Sequence, residues 1–470
     1  MPYTGTDLAA LNYFLRNTML EPGLIQPDTI IKSPLLRALE NRLIRASFRG
    51  KNAELEVMTA MALTGGPTTD ETAIRYPGED TYVTGYAPLR RLEVNVGSTM
   101  GAIHASANAG PDGSWGKVIL EKLKHRKIDW DLTLDQVLMG NGSGLRGIVY
   151  SSSYSTLVLT VYLQNTYLET GWENAAMLRV GQRVEFMHSA AAVADSSGAT
   201  DFVITERVFG NRDNGAAVNT GYIKVTVASD ISASVANGDK VYIRGGITLG
   251  VTLPEPHGII ALLQGNGDSY SGTSALTAFQ AFTRANLASM KALVWDATDF
   301  TAAGAAGTPD DWELRTLATF VNEIRRGSGA DGPDLALLSS QMAQTLADKN
   351  RQNQGVNIAV RTMQNAGEQQ KMVIGVEYAT TFRTGGQDIE IAVADTVPDN
   401  VIHFIRKEDF RWMQREPGFY NYASDLNMGD VWMPSKGDRY NAIEAPFGGE
   451  MQVMAHRCDR SGTIMDLIAD

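Results

Sequence analysis

Residues 112–147 read DGSWGKVILEKLKHRKIDWDLTLDQVLMGNGSGLRG, and the parsing of the whole chain turns on them. Ser114 can serve as an N-cap. Apolar residues recur at Trp115, Val118, Ile119 and Leu123, and again at Trp130, Leu134, Val137 and Leu138. That three-and-four spacing marks a one-sided helix. The basic run Lys122 to Lys127 separates the two stripes, and no proline intervenes. The pattern predicts one helix from Ser114 to Met139, about 40 Å long at the usual rise per residue. Gly140, Gly142 and Gly144 then supply the positive φ that stops a helix without steric cost.

Gly142, Gly144 and Gly147 also fit G-x-G-x-x-G. A dinucleotide turn of that form must follow a strand and open a helix, whose N-terminal amides hold the pyrophosphate. Here the helix comes first, so the order of elements favours a helix stop and loop over a nucleotide site.

The chain has 470 residues, 43% of them hydrophobic, enough for two or three domains with real cores. Charged residues make up 20% and the formal net charge is −12, which excludes a dedicated nucleic-acid binder covered in Lys and Arg but leaves room for a weak local contact. The single cysteine, Cys458, cannot form an internal disulfide and reads as a buried, inert thiol, so nothing asks for an oxidising compartment. The first residues lack the unbroken apolar core of a secretory signal, and no apolar run reaches the roughly 18 residues of a membrane span. The expectation is a chain that neither crosses nor enters a membrane.

Upstream, Asp7 to Asn17 reads as a short helix, and Ser33 followed by Pro34 starts another with Leu35, Leu36, Leu39 and Leu43 on its buried face. Its other face, with Arg37, Arg42 and Arg45, is either solvated or laid on an acidic neighbour. Between Ala53 and Ser106, GGPTTDE and YPGED are turn-rich, and Leu92, Val94 and Val96 alternate with Arg91, Glu93 and Asn95 as a half-buried strand does. A long two-stranded excursion fits. From Tyr154 to Gly250 the sequence is all-β, with TLVLTVYL, RVEFM, DFVITERVFG, GYIKVTV and DKVYIRG separated by Gly, Asn and Asp. This predicts a self-contained small barrel or sandwich.

HGIIALLQ resumes the main body, and the spacing of Phe279, Phe282 and Leu287 predicts a helix over Ser274–Val294. Thr308 and Asp310 can open a helix with Leu314, Leu317, Val321 and Ile324 on one face, stopped by Gly327 and Gly329. DLALLSS reads as strand plus cap, QMAQTLADK as a further helix, and strands follow between Val373 and Phe404. The aromatic stretch Phe410 to Tyr422 is read as packing, and the last strand alternates Met451, Val453 and Ala455 with Gln452, Met454 and His456.

The six histidines are scattered, with no H-E-x-x-H, no G-x-S-x-G elbow and no phosphate loop ending in Gly-Lys-Ser/Thr. The reading is no enzyme, no cofactor and no metal. The alternative, an unrecognised hydrolase, needs carboxylates that only folding brings together.

Three stretches in order carry a resemblance: APLRRLEVNVGSTMGAIHAS (87–106), the long helix running into GNGSGLRGIV (140–149), and DNVIHFIRKEDFRWM (399–413) followed by EMQVMAHRCDRSGTIMDLI (450–468). Together they resemble the major capsid proteins of tailed bacteriophages, the Hong Kong 97 fold. The resemblance implies an α+β chain with an N-terminal arm (1–52), an extended loop (53–106) and a peripheral domain bearing the spine helix (107–153 and 251–307). An inserted β-domain (154–250) interrupts it, an axial domain (308–400) follows, and the C-terminal strands (401–470) are shared. It implies self-association into hexamers and pentamers of an icosahedral shell assembled in the host cytoplasm, with separate scaffolding and cementing proteins as further partners. Contact with the enclosed double-stranded DNA would be weak and non-specific. In the extended loop, Arg75, Tyr76, Tyr86, Arg90 and Arg91 are the expected contacts to a neighbouring subunit. An encapsulin-like compartment is the alternative within the fold.

Overall fold

The computed structural model describes residues 52–60, 81–99, 126, 129–140, 142, 144–163, 177–188, 191–208, 221–244, 255–263, 278–279, 282–283, 288–296, 314–329, 331–354, 381–384, 387–394, 396–397, 401–414, 420–421, 433–434, 442–465 and 467. The N-terminal arm expected over 1–52 lies outside them, Asn52 excepted. Strands β1 (Asn52–Ala60) and β2 (Thr81–Pro88) form an antiparallel pair, with Asn52 opposite Pro88 and Val57 opposite Val83, and among the described strands they pair only with each other.

β3 (Arg90–Thr99) shows the expected alternation, with Leu92 and Val94 buried and Arg91 and Glu93 exposed. It is not part of the excursion. It pairs for ten residues with a C-terminal strand, so the two-stranded portion stops at Pro88 rather than Ser106. Residues 129–139 form helix α1, which buries Trp130, Leu134, Val137 and Leu138 as the spacing predicts. Arg126 is helical as well, and the rest of the predicted helix upstream lies outside the described residues.

The β-rich stretch folds into a closed barrel. Its strands are β4 (Leu145–Ser155), β5 (Val158–Leu163), β6 (Arg183–His188), β7 (Ala191–Ala192), β8 (Asp201–Val208), β9 (Tyr222–Thr226) and β10 (Lys240–Ile243). The order is β10-β4-β5-β9-β8-β6, and β6 pairs back onto β10, all antiparallel, with β7 a short addition to β6. Closure removes the open edges that invite stray pairing. Leu159, Val161, Leu163, Val184, Phe186, Phe202, Ile204, Ile223, Val225 and Val241 fill the interior as one cluster. The barrel starts at Leu145, upstream of the expected Tyr154. LRGIV is buried at every position, so it lacks the alternation that reveals a half-exposed strand.

After α2 (Ile259–Leu262), the helix expected over Ser274–Val294 is absent from the described residues there. β11 (Ala278–Phe279) and β12 (Phe282–Thr283) pair with Phe279 opposite Phe282, a 3-10 turn covers Ala288–Met290, and β13 (Leu293–Asp296) follows. Phe279 and Phe282 oppose each other across this tight pair, and the strand preference of aromatic residues prevails there over the helical spacing.

The remaining elements are α3 (Leu314–Ser328), β14 (Leu335–Leu338), α4 (Ser340–Gln354), β15 (Thr381–Thr384), β16 (Gln387–Val393), β17 (Ile402–Ile405), β18 (Phe410–Gln414), β19 (Tyr420–Asn421), β20 (Met433–Pro434), β21 (Ala442–Ala455) and β22 (Gly462–Met465). A mixed sheet runs β13-β22-β17-β14-β16-β15, with β13 parallel to β22 and β14 parallel to β16. α3 packs into its core through Leu317, Phe320, Val321 and Ile324 and stops at Gly329, whose φ is +61°. Ser339 caps α4, its Oγ accepting from the Met342 amide at 3.1 Å. The third sheet centres on β21, which takes β3 along one side and β18, β19 and β20 elsewhere. α1 shares its core: Trp130, Leu134 and Val137 cluster with Leu92, Val94, Trp412, Met451 and Val453. No described helix is long and apolar enough to cross a membrane.

Candidate functional site at the glycine junction

Helix α1, strand β4 and the segment 255–258 meet at the glycine stretch. α1 ends as the Gly140 amide bonds back to the Val137 carbonyl at 3.0 Å, and Gly142 and Gly144 then take φ of +82° and +78°. The chain enters β4 at Leu145. It returns from the barrel through 255–258, which lies directly on the same glycines: the Glu255 amide donates to the Gly142 carbonyl at 3.0 Å. A Cβ on Gly258 would fall inside the Gly140 carbonyl and 2.7 Å from those of Val137 and Leu138, so only glycine fits against this helix end.

Side chains lock the same crossing. Arg146 and Glu255 are almost fully buried, and Arg146 Nη2 donates to both Glu255 carboxylate oxygens, at 2.6 and 2.8 Å. Arg146 Nη1 also donates to the Leu145 carbonyl at 3.2 Å. The pair joins residues 109 apart in sequence, one at each root of the barrel. Removing either partner would strand a buried charge.

A third tie runs through β21. Gln452 is 1% exposed, its Oε1 accepts from the His257 amide at 2.8 Å and the Val453 amide at 3.1 Å, and its Nε2 donates to the Pro88 carbonyl at 3.0 Å. One amide side chain therefore fastens the end of the β1–β2 pair, the return from the barrel and the central strand. Burial, and secondarily the nearby Arg90 guanidinium, push the His257 imidazole down to about 4. The barrel base also rests on α1. Gln182 Nε2 donates to Gln136 Oε1 at 3.4 Å, while burial lowers the Arg179 guanidinium and Asp135 of α1 offsets that most.

The glycine loop leaves the carbonyl end of a helix, not the amide end, and its neighbours are a salt bridge and backbone. That arrangement is a mechanical joint and does not suit an anion such as pyrophosphate. Among the described residues no group of three His, Cys, Asp or Glu could hold a metal.

Of the expected contact residues, Arg75 and Tyr76 lie outside the described residues. Tyr86 stands on β2 opposite Glu54. Arg91 is exposed and pairs with Glu93 at 3.3 Å, whereas Arg90 is partly turned in, with Nε buried and its charge felt by His257. Arg146, Glu255 and Gly258 belong to no sequence motif, and Gln452 shows there only as an alternating position of the last strand. The one local signal was an arginine inside the otherwise apolar LRGIV.

No protein-family model matches the chain, and no curated protein does. Among solved structures it is similar to the capsid asymmetric unit of cyanophage A-1(L), at 12% identity over 96% of this chain and 99% of that one, with a TM-score of 0.47. It is similar to a satellite phage P4 procapsid, at 7% identity over 98% and 97% with a TM-score of 0.39. It is also similar to an encapsulin complex from Synechococcus elongatus, at 8% identity over 97% and 95% with a TM-score of 0.38.

Proposed function

We propose that this chain is a shell subunit, the major capsid protein of a tailed bacteriophage with the Hong Kong 97 fold, and that it works by self-association rather than catalysis. The observation that carries the reading is the β1–β2 pair. Strands of nine and eight residues pair with no other described strand, and an isolated two-stranded sheet is marginal in water. Such an arm gains its stability by lying on another body. Gln452 ties its base to the central sheet through the Pro88 carbonyl.

On this reading the mixed sheet with α3 and α4 is the axial domain packed around the ring axes. α1 is the end of a spine helix, and the barrel is an inserted domain held by the glycine junction. Rings of identical domains, tied to one another by arms, add many weak contacts into a stable shell. Tyr86 on the arm and Arg91 on β3 next to its base remain our candidates for contacts with a neighbouring subunit, together with Arg75 and Tyr76. The test is to replace residues 54–86 with a short Gly-Ser turn. The expected result is a folded subunit that no longer assembles; assembly unimpaired by the deletion contradicts the proposal.

A further inference from the structure

Beside the C-terminal end of β21 lies an open concavity of about 530 Å³ lined by Glu408, Asp409, Arg411, His456, Arg457 and Arg460. Its three guanidiniums outnumber its two carboxylates, a local positive excess in a chain of net charge −12. Two are held in place by carboxylates. Arg460 donates to both oxygens of Asp409, from Nε to Oδ2 at 2.9 Å and from Nη2 to Oδ1. Arg457 donates from Nε and Nη2 to Asp459 at 2.9 and 2.6 Å, and from Nη2 to the Ser328 carbonyl at 3.2 Å. A guanidinium carries five N–H donors, so each keeps its Nη1 edge for something else.

Arg411 differs. It sits on β18 opposite Met454, and its Nε is buried with no hydrogen-bond partner. The other acid of the lining, Glu408, accepts from Arg406 at 3.0 Å. Both carboxylates of the lining thus already have an arginine, and among the described residues Arg411 has no carboxylate partner.

We propose that this concavity is a phosphate-binding site, taking either a phosphodiester of duplex DNA or a small free phosphate. Arginine forks match phosphate oxygens two at a time, and forks already fixed by carboxylates lose little freedom on binding. Contact with a phosphate is blind to base sequence. The site goes beyond the shell reading and does not depend on it.

The test titrates the full chain with a mixed-sequence DNA duplex and, separately, with inorganic phosphate over a range of salt. Wild type, Arg411→Gln and Arg411→Lys are compared, with thermal melts to verify folding. Duplex binding is expected to weaken with salt. Arg411→Gln should bind several-fold more weakly and lower the slope of log K against log salt by about 1, while Arg411→Lys keeps the slope. Binding of inorganic phosphate alone, lost in Arg411→Gln, also supports the site and assigns it a small phosphate. If Arg411→Gln fails to fold, Arg457→Gln, whose side chain is 35% exposed, repeats the measurement. The proposal is overturned if neither probe binds wild type, or if the folded Gln variant binds both as wild type does. Sedimentation reads assembly separately and is expected to be unchanged in these variants, so failure of this site and failure of the shell reading are distinct results.

Discussion

Arg146 and Glu255 form the one ion pair in which both side chains are almost wholly out of water among the bridges described here. Such a pair is costly to break singly and cheap to replace jointly, because a lone buried charge has lost both water and partner. Arg146→Met alone should cost about 3–5 kcal/mol, and Arg146→Met with Glu255→Leu should recover most of it. Denaturant melts of the two variants check this, and equal losses in both would mean the pair is not the joint. Two histidines give a pH signature. Burial drives His403 down to about 3, and burial with Arg90 drives His257 to about 4, against an ordinary value of 6.5. Both are neutral in the fold, and the unfolded chain takes up protons first as pH drops. Their stabilisation is therefore complete above 6.5 and is lost as pH falls toward 4. The denaturation midpoint should fall between pH 6.5 and 5, and His403→Gln should flatten that fall; an unchanged slope in the variant counts against burial as its origin. Neither the Arg146–Glu255 contact nor the role of Gln452 could be read from the sequence, because each is made by residues far apart whose local surroundings look ordinary.

At the scale of elements, the barrel has an interior that shares no residue with the other two cores. Residues 144–245 alone should therefore fold and unfold cooperatively, with dispersed amide resonances. A collapsed or aggregated fragment under all conditions would show that the junction with α1 is part of the barrel's own stability. Most strands of the barrel, together with α3, β14 and α4, were legible because one face is wet and the other dry, which leaves period-two or three-and-four patterns in the residues. β4 was missed at its start because LRGIV is buried throughout, and the Phe279–Phe282 region was misread because two phenylalanines at helical spacing fit a tight strand pair equally well. β21 alternates in sequence, yet Gln452 is as buried as Met451 and Val453 because the strand is covered on both faces.

For the whole molecule, the shell reading rests on an arm whose two strands pair with no other described strand, joined to the body through Gln452. No lysine occurs between Ala53 and Ser106, so this arm cannot supply the amine for a covalent isopeptide link, and arginine cannot replace it because its guanidinium stays protonated. Assembled particles boiled in detergent and reductant should give a single band near 50.9 kDa. A ladder of covalent oligomers would mean the linking lysine comes from elsewhere in the chain. The most direct measurement of the central claim is negative-stain imaging of the purified chain with sedimentation of the same sample: the account predicts closed shells or rings of subunits, alone or on addition of a scaffolding partner, and a discrete small particle under all such conditions would contradict it.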